Sequence, residues 1–175
     1  MPLARAARSA KEFSCTQRFE AEAFRQGCYR VAGCDEAGRG SLLGPLYAAA
    51  VILDRDRPIQ GLNDSKKLTA EARGDLDAEI REKAAAYQVI AIPAHEVDEL
   101  NVYEASRQAM LRALAAFNPP PDFVLTDAMP LARNGVRAEF AVPFRSIIHG
   151  DAQSVSIAAA SILAKVARDA HLEEL

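Results

Sequence analysis

Residues 31–53, VAGCDEAGRGSLLGPLYAAAVIL, limit what this chain can fold into more than any other stretch. An apolar lead-in, Val31 to Cys34, runs into two adjacent carboxylates, Asp35 and Glu36. Gly38, Gly40 and Gly44 follow, and a second apolar run extends from Leu46 to Leu53. Two apolar runs joined by a glycine-rich turn predict a strand, a sharp turn and a strand pairing back. Neighbouring strand residues point to opposite faces. Asp35 and Glu36 can therefore reach one ligand together only near the strand end, where the backbone breaks. Gly38 and Gly40 leave the amides of the turn uncovered, so another backbone can approach closely.

Around this hairpin the pattern alternates. Gln17 to Gln26 reads as a short helix closed by Gly27. Asp54 to Asp64, with Pro58 and Gly61, reads as a loop. Thr69 caps an expected helix to about Ala86, with Ala72, Leu76, Ile80 and Ala84 as its apolar stripe. Tyr87 to Ile92 is expected as a strand stopped by Pro93, and His95 to Leu100 as a turn of helix. Val102 to Phe117 reads as a helix with Tyr103, Met110, Leu114 and Phe117 on one side, ended by Pro119-Pro120-Pro121. Phe123 to Thr126 is a short buried strand delivering Asp127, and Phe140 to Ile148 is strand material broken by Pro143. Gly150-Asp151 opens a long alanine-rich helix, Gln153 to about Ala170, whose Ala158-Ala159-Ala160-Ser161 lets its backbone lie close against a sheet. The order predicts one α/β domain, a mixed sheet with helices on its faces. Residues 1–15 are expected as a disordered N-terminal extension, and 16–175 as the domain.

Charge does not advertise a nucleic-acid ligand, because the net charge is −3 and the pI about 5.7. A local basic strip or bound metal ions can still attract one. Cys15, Cys28 and Cys34 are odd in number and lack Cys-x-x-Cys spacing, which fits a reducing compartment and argues against a disulfide framework or zinc ribbon. No run spans a bilayer. The first residues lack the apolar core of a secretory signal, and their basic character is weak ground for a transit peptide. The sequon Asn63-Asp64-Ser65 carries little without secretion.

Four acids stand at element ends: Asp35, Glu36, Asp127 and Asp151. One such acid is commonly a solvated loop residue, but a carboxylate pair between an apolar strand and a glycine turn is a less ordinary arrangement. Clustered carboxylates stay ionised only when cations are supplied, and oxygen ligands without imidazole or thiolate suit magnesium or manganese. Two such ions can activate a water and stabilise the leaving oxygen of a phosphodiester. Gly38-Arg39-Gly40 and Gly44 match a dinucleotide fingerprint poorly, since the spacing is wrong and a strand follows where a helix is needed. Lys66 and Lys67 precede a helix; beside a metal site they could hold phosphates. Lys165 and Arg168 on the last helix complement its dipole, with a phosphate contact as a second role. His95, His149 and His171 lack ligand spacing, and only His149 falls near the acids.

Gly33-Cys34-Asp35-Glu36-Ala37-Gly38-Arg39-Gly40, Asp64-Ser65-Lys66-Lys67-Leu68, Glu99-Leu100-Asn101, Gly150-Asp151, and Ile157 to Val166 with Arg168-Asp169 resemble ribonuclease HII, a type 2 ribonuclease H family. The blocks run in family order from about Phe19 to Asp169. The resemblance implies an RNase H-like fold, with a five-stranded mixed sheet whose first and fourth strands carry acids to a shared edge. It implies a magnesium- or manganese-dependent endonuclease that cuts the RNA strand of RNA–DNA hybrids and cuts 5′ of single ribonucleotides in duplex DNA, leaving 5′-phosphate and 3′-hydroxyl. Asp35, Glu36, Asp127 and Asp151 match the catalytic, metal-holding carboxylates of the family. Gly38, Arg39 and Gly40 match its turn that reads the ribose 2′-hydroxyl, a group that separates RNA from DNA. The implied setting is a cytoplasmic monomer acting in DNA repair and replication.

There are departures. Ser41 replaces a usual proline, and Ala128 replaces a usual glycine after Asp127. The family continues past Arg168-Asp169 with helices and a tyrosine that packs on the neighbouring nucleotide, whereas this sequence stops at Leu175. Two rival readings follow: a truncated, inactive module that still binds hybrid duplex, and a phosphatase using the same acids.

Overall fold

The computed structural model describes residues 15–40, 44–132 and 141–175. Its elements are α1 (Arg18–Arg25), β1 (Val31–Ala37), β2 (Leu46–Ile52), α2 (Ala70–Lys83), β3 (Ala86–Ile92), α3 (Ala94–Leu100), α4 (Val102–Ala115), β4 (Phe123–Asp127), β5 (Phe144–Ile147) and α5 (Val155–Glu173). Two 3-10 turns, Ser65–Lys67 and Gly150–Ala152, lie between them. The strands form one five-stranded sheet in the order β3-β2-β1-β4-β5. β1 pairs antiparallel with β2 and parallel with β4; β2 pairs antiparallel with β3, and β4 parallel with β5. This is the expected mixed sheet of an RNase H-like α/β fold.

Alternation along β1 sorts the core into two layers. Ala32 and Cys34 face α4, packing with Ala48, Ala50, Met110, Ala113 and Leu114. Gly33 faces α5, and a Cβ there would stand 2.1 Å from the backbone carbon of Ser156. No side chain fits at that position, which lets α5 lie on the sheet as closely as its alanine stripe allows. Ala158, Ala159, Ala160 and Ile162 complete that layer with Ala49, Val51 and, on α2, Leu76 and Ile80.

Several boundaries differ from the sequence reading. α2 stops at Lys83 because Ala86 already pairs with Ile52 at the start of β3. Of its expected stripe, Leu76 and Ile80 are buried, whereas Ala72 and Ala84 are half-buried. Tyr103 on α4 is exposed, while Met110, Leu114 and Phe117 are buried as expected. α5 begins at Val155, with Ser154 as its N-cap accepting from the Ile157 amide, so Asp151 sits in a separate 3-10 turn. The disordered extension proposed for residues 1–15 falls outside the described residues except at half-buried Cys15. Ser41 and Phe140 lie outside them too. No described helix is long and apolar enough to cross a membrane.

Candidate metal centre and nucleic-acid cleft

Strand register brings the first two acids together. β1 and β4 run parallel, and Cys34 is level with Thr126. Asp35 and Asp127 are the next residue on each strand, so both side chains leave on the α5 face at the same edge. Asp151 arrives from the turn between β5 and α5. One carboxylate oxygen from each of Asp35, Asp127 and Asp151 lies within 4.8 Å of the others. Asp35 and Asp151 are each only 5% exposed, and Asp127 is half-buried.

Glu36 is placed differently. β1 continues in register with β2 to Ala37, so the strand does not break between the two acids. Glu36 therefore leaves on the opposite face and stands outside the cluster of three. Its carboxylate still lines the same cleft, where Arg39 pairs with it at 3.7 Å. One of its oxygens, Oε2, is buried without a hydrogen-bond partner among the described residues.

The site is held from several sides. Asp35 accepts from the Glu36 amide at 2.8 Å, and Asp127 from the Gly150 amide at 2.8 Å. The loop after Asp127 is pinned by Thr126, whose hydroxyl donates to the Met129 carbonyl, and by buried Arg107, which donates to the Leu131 carbonyl at 2.9 Å. Ala128 takes φ +50°, in the left-handed region that favours glycine. That conformation explains why a glycine suits this position.

Burial is the main cause of every carboxyl shift here. It raises Asp35 well above the ordinary range, and the charges of Glu36, Asp127 and Asp151 push the same way. Glu36 is raised to about 7 by burial, against the pull of Arg39. Asp127 is raised by burial, opposed by the Gly150 amide and Lys66. Asp151 is raised to about 6 by burial and by its neighbours Asp127 and Asp64. Buried acids whose charged forms are this disfavoured, with oxygen donors converging on one point, fit a hard divalent cation.

The surrounding cleft has a volume of about 410 Å³ and is lined by Gly38, Arg39, Gly40, Lys66, Lys165 and Arg168 as well as the acids. That is many times the roughly 10–15 Å³ of such space that one water needs, so the cleft has room for a group much larger than a water beside the acids. Lys165 also pairs with Asp169 at 2.7 Å. Lys67 is exposed and does not line the cleft. The sequence reading had emphasised the two lysines of Asp64-Ser65-Lys66-Lys67 and left the preceding pair unassigned. Asp64 caps the 3-10 turn by accepting from the Lys66 amide, and its charge helps to raise Asp151. The Ser65 hydroxyl meets that of Ser161 at 2.9 Å, tying the turn to α5. The spacing of small polar residues in both blocks was the available signal.

The sequence model of the family described as Ribonuclease HII matches residues 32–175. A Ribonuclease HII of Solibacter usitatus (strain Ellin6076) is 51% identical over 158 residues, covering 90% of this chain and 66% of that protein. A Ribonuclease HII of Geobacillus thermodenitrificans (strain NG80-2) is 50% identical over 158 residues, covering 90% of this chain and 58% of that protein. The chain thus spans 58–66% of the length of these two curated relatives. Among solved structures, the ribonuclease H2 from Pyrococcus horikoshii OT3 superposes with a TM-score of 0.69 at 29% identity, over 83% of this chain and 75% of that one.

Proposed function

From the premise that the chain belongs to the ribonuclease HII family, we propose a divalent-metal-dependent endonuclease acting on RNA–DNA hybrids and on duplex DNA carrying single ribonucleotides. The observation that carries the reading is the convergence of Asp35, Asp127 and Asp151, distant in sequence, within 4.8 Å in a cleft with basic walls. Asp35, Asp127 and Asp151 would hold magnesium or manganese, with Glu36 joining from the neighbouring face. Such ions, when bound, supply a nucleophilic water and neutralise the charge that develops on phosphorus and on the leaving 3′-oxygen.

The chain's own residues do the rest. Lys66, Lys165 and Arg168 face the cleft and offer cations to the phosphates on either side of the cut. Lys67, on the outer side of the same turn, is suited to a more distant phosphate. Gly38, Arg39 and Gly40 border the acids, and among the described residues no atom beyond the chain neighbours stands within 4 Å of a Cβ built at Gly40. Backbone groups in such an open turn can reach a 2′-hydroxyl, giving a means to prefer ribose. In-line displacement would leave a 5′-phosphate on the ribonucleotide and a 3′-hydroxyl upstream.

The decisive assay uses a duplex DNA with one embedded ribonucleotide, incubated with magnesium, manganese or a chelator. Cleavage 5′ of the ribonucleotide that needs metal and is lost in Asp35→Asn supports the proposal. Binding of the duplex without metal-dependent cleavage, or hydrolysis of a small phosphate ester in its place, would refute it.

A further inference from the structure

Outside the cleft, Glu20 on α1 is a buried carboxylate, 4% exposed, whose Oε2 has no hydrogen-bond partner among the described residues and whose Oε1 carries all of its hydrogen bonds there. Its Oε1 accepts from the Ser156 amide at 3.0 Å, from the Ser156 hydroxyl at 2.6 Å and from the Ser154 hydroxyl at 2.5 Å. Ser154 is the N-cap of α5, and Ser156 lies in its first turn. The carboxylate of another helix therefore satisfies one of the free amides at the start of α5, that of Ser156, where helix polarity favours a negative charge.

Just upstream of that helix start lies Asp151. The Thr16 amide donates to the Gln153 carbonyl at 3.1 Å, and the Val155 amide to the Thr16 carbonyl at 3.1 Å. The Ser154 and Gln153 amides fold back onto the Gly150 carbonyl at 2.8 and 3.0 Å. The turn carrying Asp151 is thus fastened at one end by Asp127, through the Gly150 amide, and at the other by Thr16 and Glu20. Ser156 is also the residue whose backbone presses on Gly33, just before Asp35 on β1. Cys15 lies in the field of both Glu20 and Asp151, whose charges add to burial in raising its thiol to about 12. Neither Glu20 nor Thr16 lines the cleft.

We infer that Glu20 is a positioning residue for the metal centre: by clamping Ser154 and Ser156 it sets where the Asp151 turn stands relative to Asp35 and Asp127. The inference rests on the metal-site reading above. Groups that orient metal ligands from behind typically change metal affinity 10–100-fold when removed. Deleting the side chain removes the bonds to Ser154 and Ser156 and leaves Thr16 alone to hold that end of the turn. A glutamine retains an oxygen at the Oε1 position and can still accept the three bonds.

The test compares the wild-type chain with Glu20→Ala, Glu20→Gln and Ser156→Ala. Manganese binding is measured by titration well below each melting point, and amide hydrogen exchange is followed at 150–154. Glu20→Ala is expected to weaken manganese binding about tenfold or more and to speed exchange at 150–154 without speeding it in β1 and β4. Glu20→Gln is expected to recover binding to within about threefold of wild type, well inside that 10–100-fold range. A folded Glu20→Ala chain with lowered melting point but unchanged manganese affinity would overturn the inference, as would a glutamine variant as weak as alanine. Should Glu20→Ala fail to fold, Ser156→Ala carries the same expectation in smaller degree, and unchanged affinity there overturns it. A wild-type chain that binds no manganese refutes the metal-site reading alone; unchanged exchange at 150–154 in the variants then refutes this one.

Discussion

Asp35→Asn should stabilise the metal-free chain at alkaline pH while abolishing metal binding. Asparagine keeps the oxygen that accepts the Glu36 amide at 2.8 Å, so the local backbone has no cause to move. What disappears is a buried charge whose nearest carboxylate partners lie within 4.8 Å. At an effective dielectric near 20, each such pair costs about 3–4 kcal/mol when both members are ionised. Asp35 has two such partners, Asp127 and Asp151, but the cluster can take up a proton in place of bearing the full repulsion. At pH 8 that proton costs about 5 kcal/mol for a carboxyl of ordinary acidity. The relief on substitution is therefore at most about 5 kcal/mol, a rise of at most roughly 10–20 °C in melting temperature for a chain of this size.

The sign of the pH dependence follows from the raised carboxyls. Burial lifts Glu36 from 4.5 to about 7 and Asp151 from 3.8 to about 6. Between those values the folded state holds protons that the unfolded state releases, so stability falls as pH rises. The advantage of Asp35→Asn should be small at pH 5 and largest at pH 8. Magnesium or manganese should narrow the gap, since a ligand at one hundred times its Kd adds about 2.7 kcal/mol to a chain that binds it. Urea melts of both chains at the two pH values, with chelator and with metal, check each part. A variant less stable than wild type at pH 8 in chelator, or a gap independent of pH, would refute the reasoning.

The remaining expectations concern the glycines and the cations. Gly38→Ala should cost about 1–3 kcal/mol, because Gly38 sits at φ +102° and its Cβ would lie 3.1 Å from the Pro45 carbonyl oxygen; a melting curve reads this directly. Gly40→Ala meets no atom of the described residues beyond its chain neighbours within 4 Å and should change stability by less than about 0.5 kcal/mol, so any loss of ribose preference in a cleavage assay comes from the approach of substrate. Gly33→Ala should prevent folding, since its methyl would stand 2.1 Å from the Ser156 backbone; a cooperative melt near the wild-type temperature would contradict the packing. Lys66→Ala and Lys165→Ala should each lower the salt dependence of duplex binding by about one counterion, whereas Lys67→Ala should have less effect on cleavage because it lies outside the cleft lining.

The hairpin and the two strand-borne acids were legible because both depend on local pattern. Val31 to Cys34 and Leu46 to Ile52 alternate or run apolar between turn residues, and Phe123 to Thr126 delivers Asp127 by simple continuation. The separation of Glu36 from the other three was half legible. Strand alternation predicts opposite faces, but whether the strand ends at Asp35 depends on pairing with β2, which local sequence does not encode. Asp151 was legible as a residue and not as a conformation. The residues that follow its 3-10 turn are bonded to Thr16 and Glu20, more than a hundred residues earlier in the chain. Asp64 was hidden for a similar reason: in sequence it is an ordinary capping acid, and only the fold brings it to Asp151.

Holding two strand-borne carboxylates and a third from the turn before α5 at one edge of the sheet opposes the burial that holds the sheet together. The fold meets that cost by the way β1 is enclosed. It is central in the sheet, has α4 on one face and α5 on the other, and its residues Val31 to Asp35 are all buried. Close packing of Gly33 under Ser156 fixes α5 against this strand and leaves Asp35 no route to solvent except through the cleft. A carboxylate on an open loop would relax away from its neighbours; here the backbone of each is held by register, by the Gly150 amide or by the clamp at the start of α5. The repulsion is therefore retained in the metal-free fold, and a divalent cation is the species whose binding relieves it. The same rigidity fixes the distance between donors before any ion arrives, so little ordering of the ligands remains to offset the binding energy.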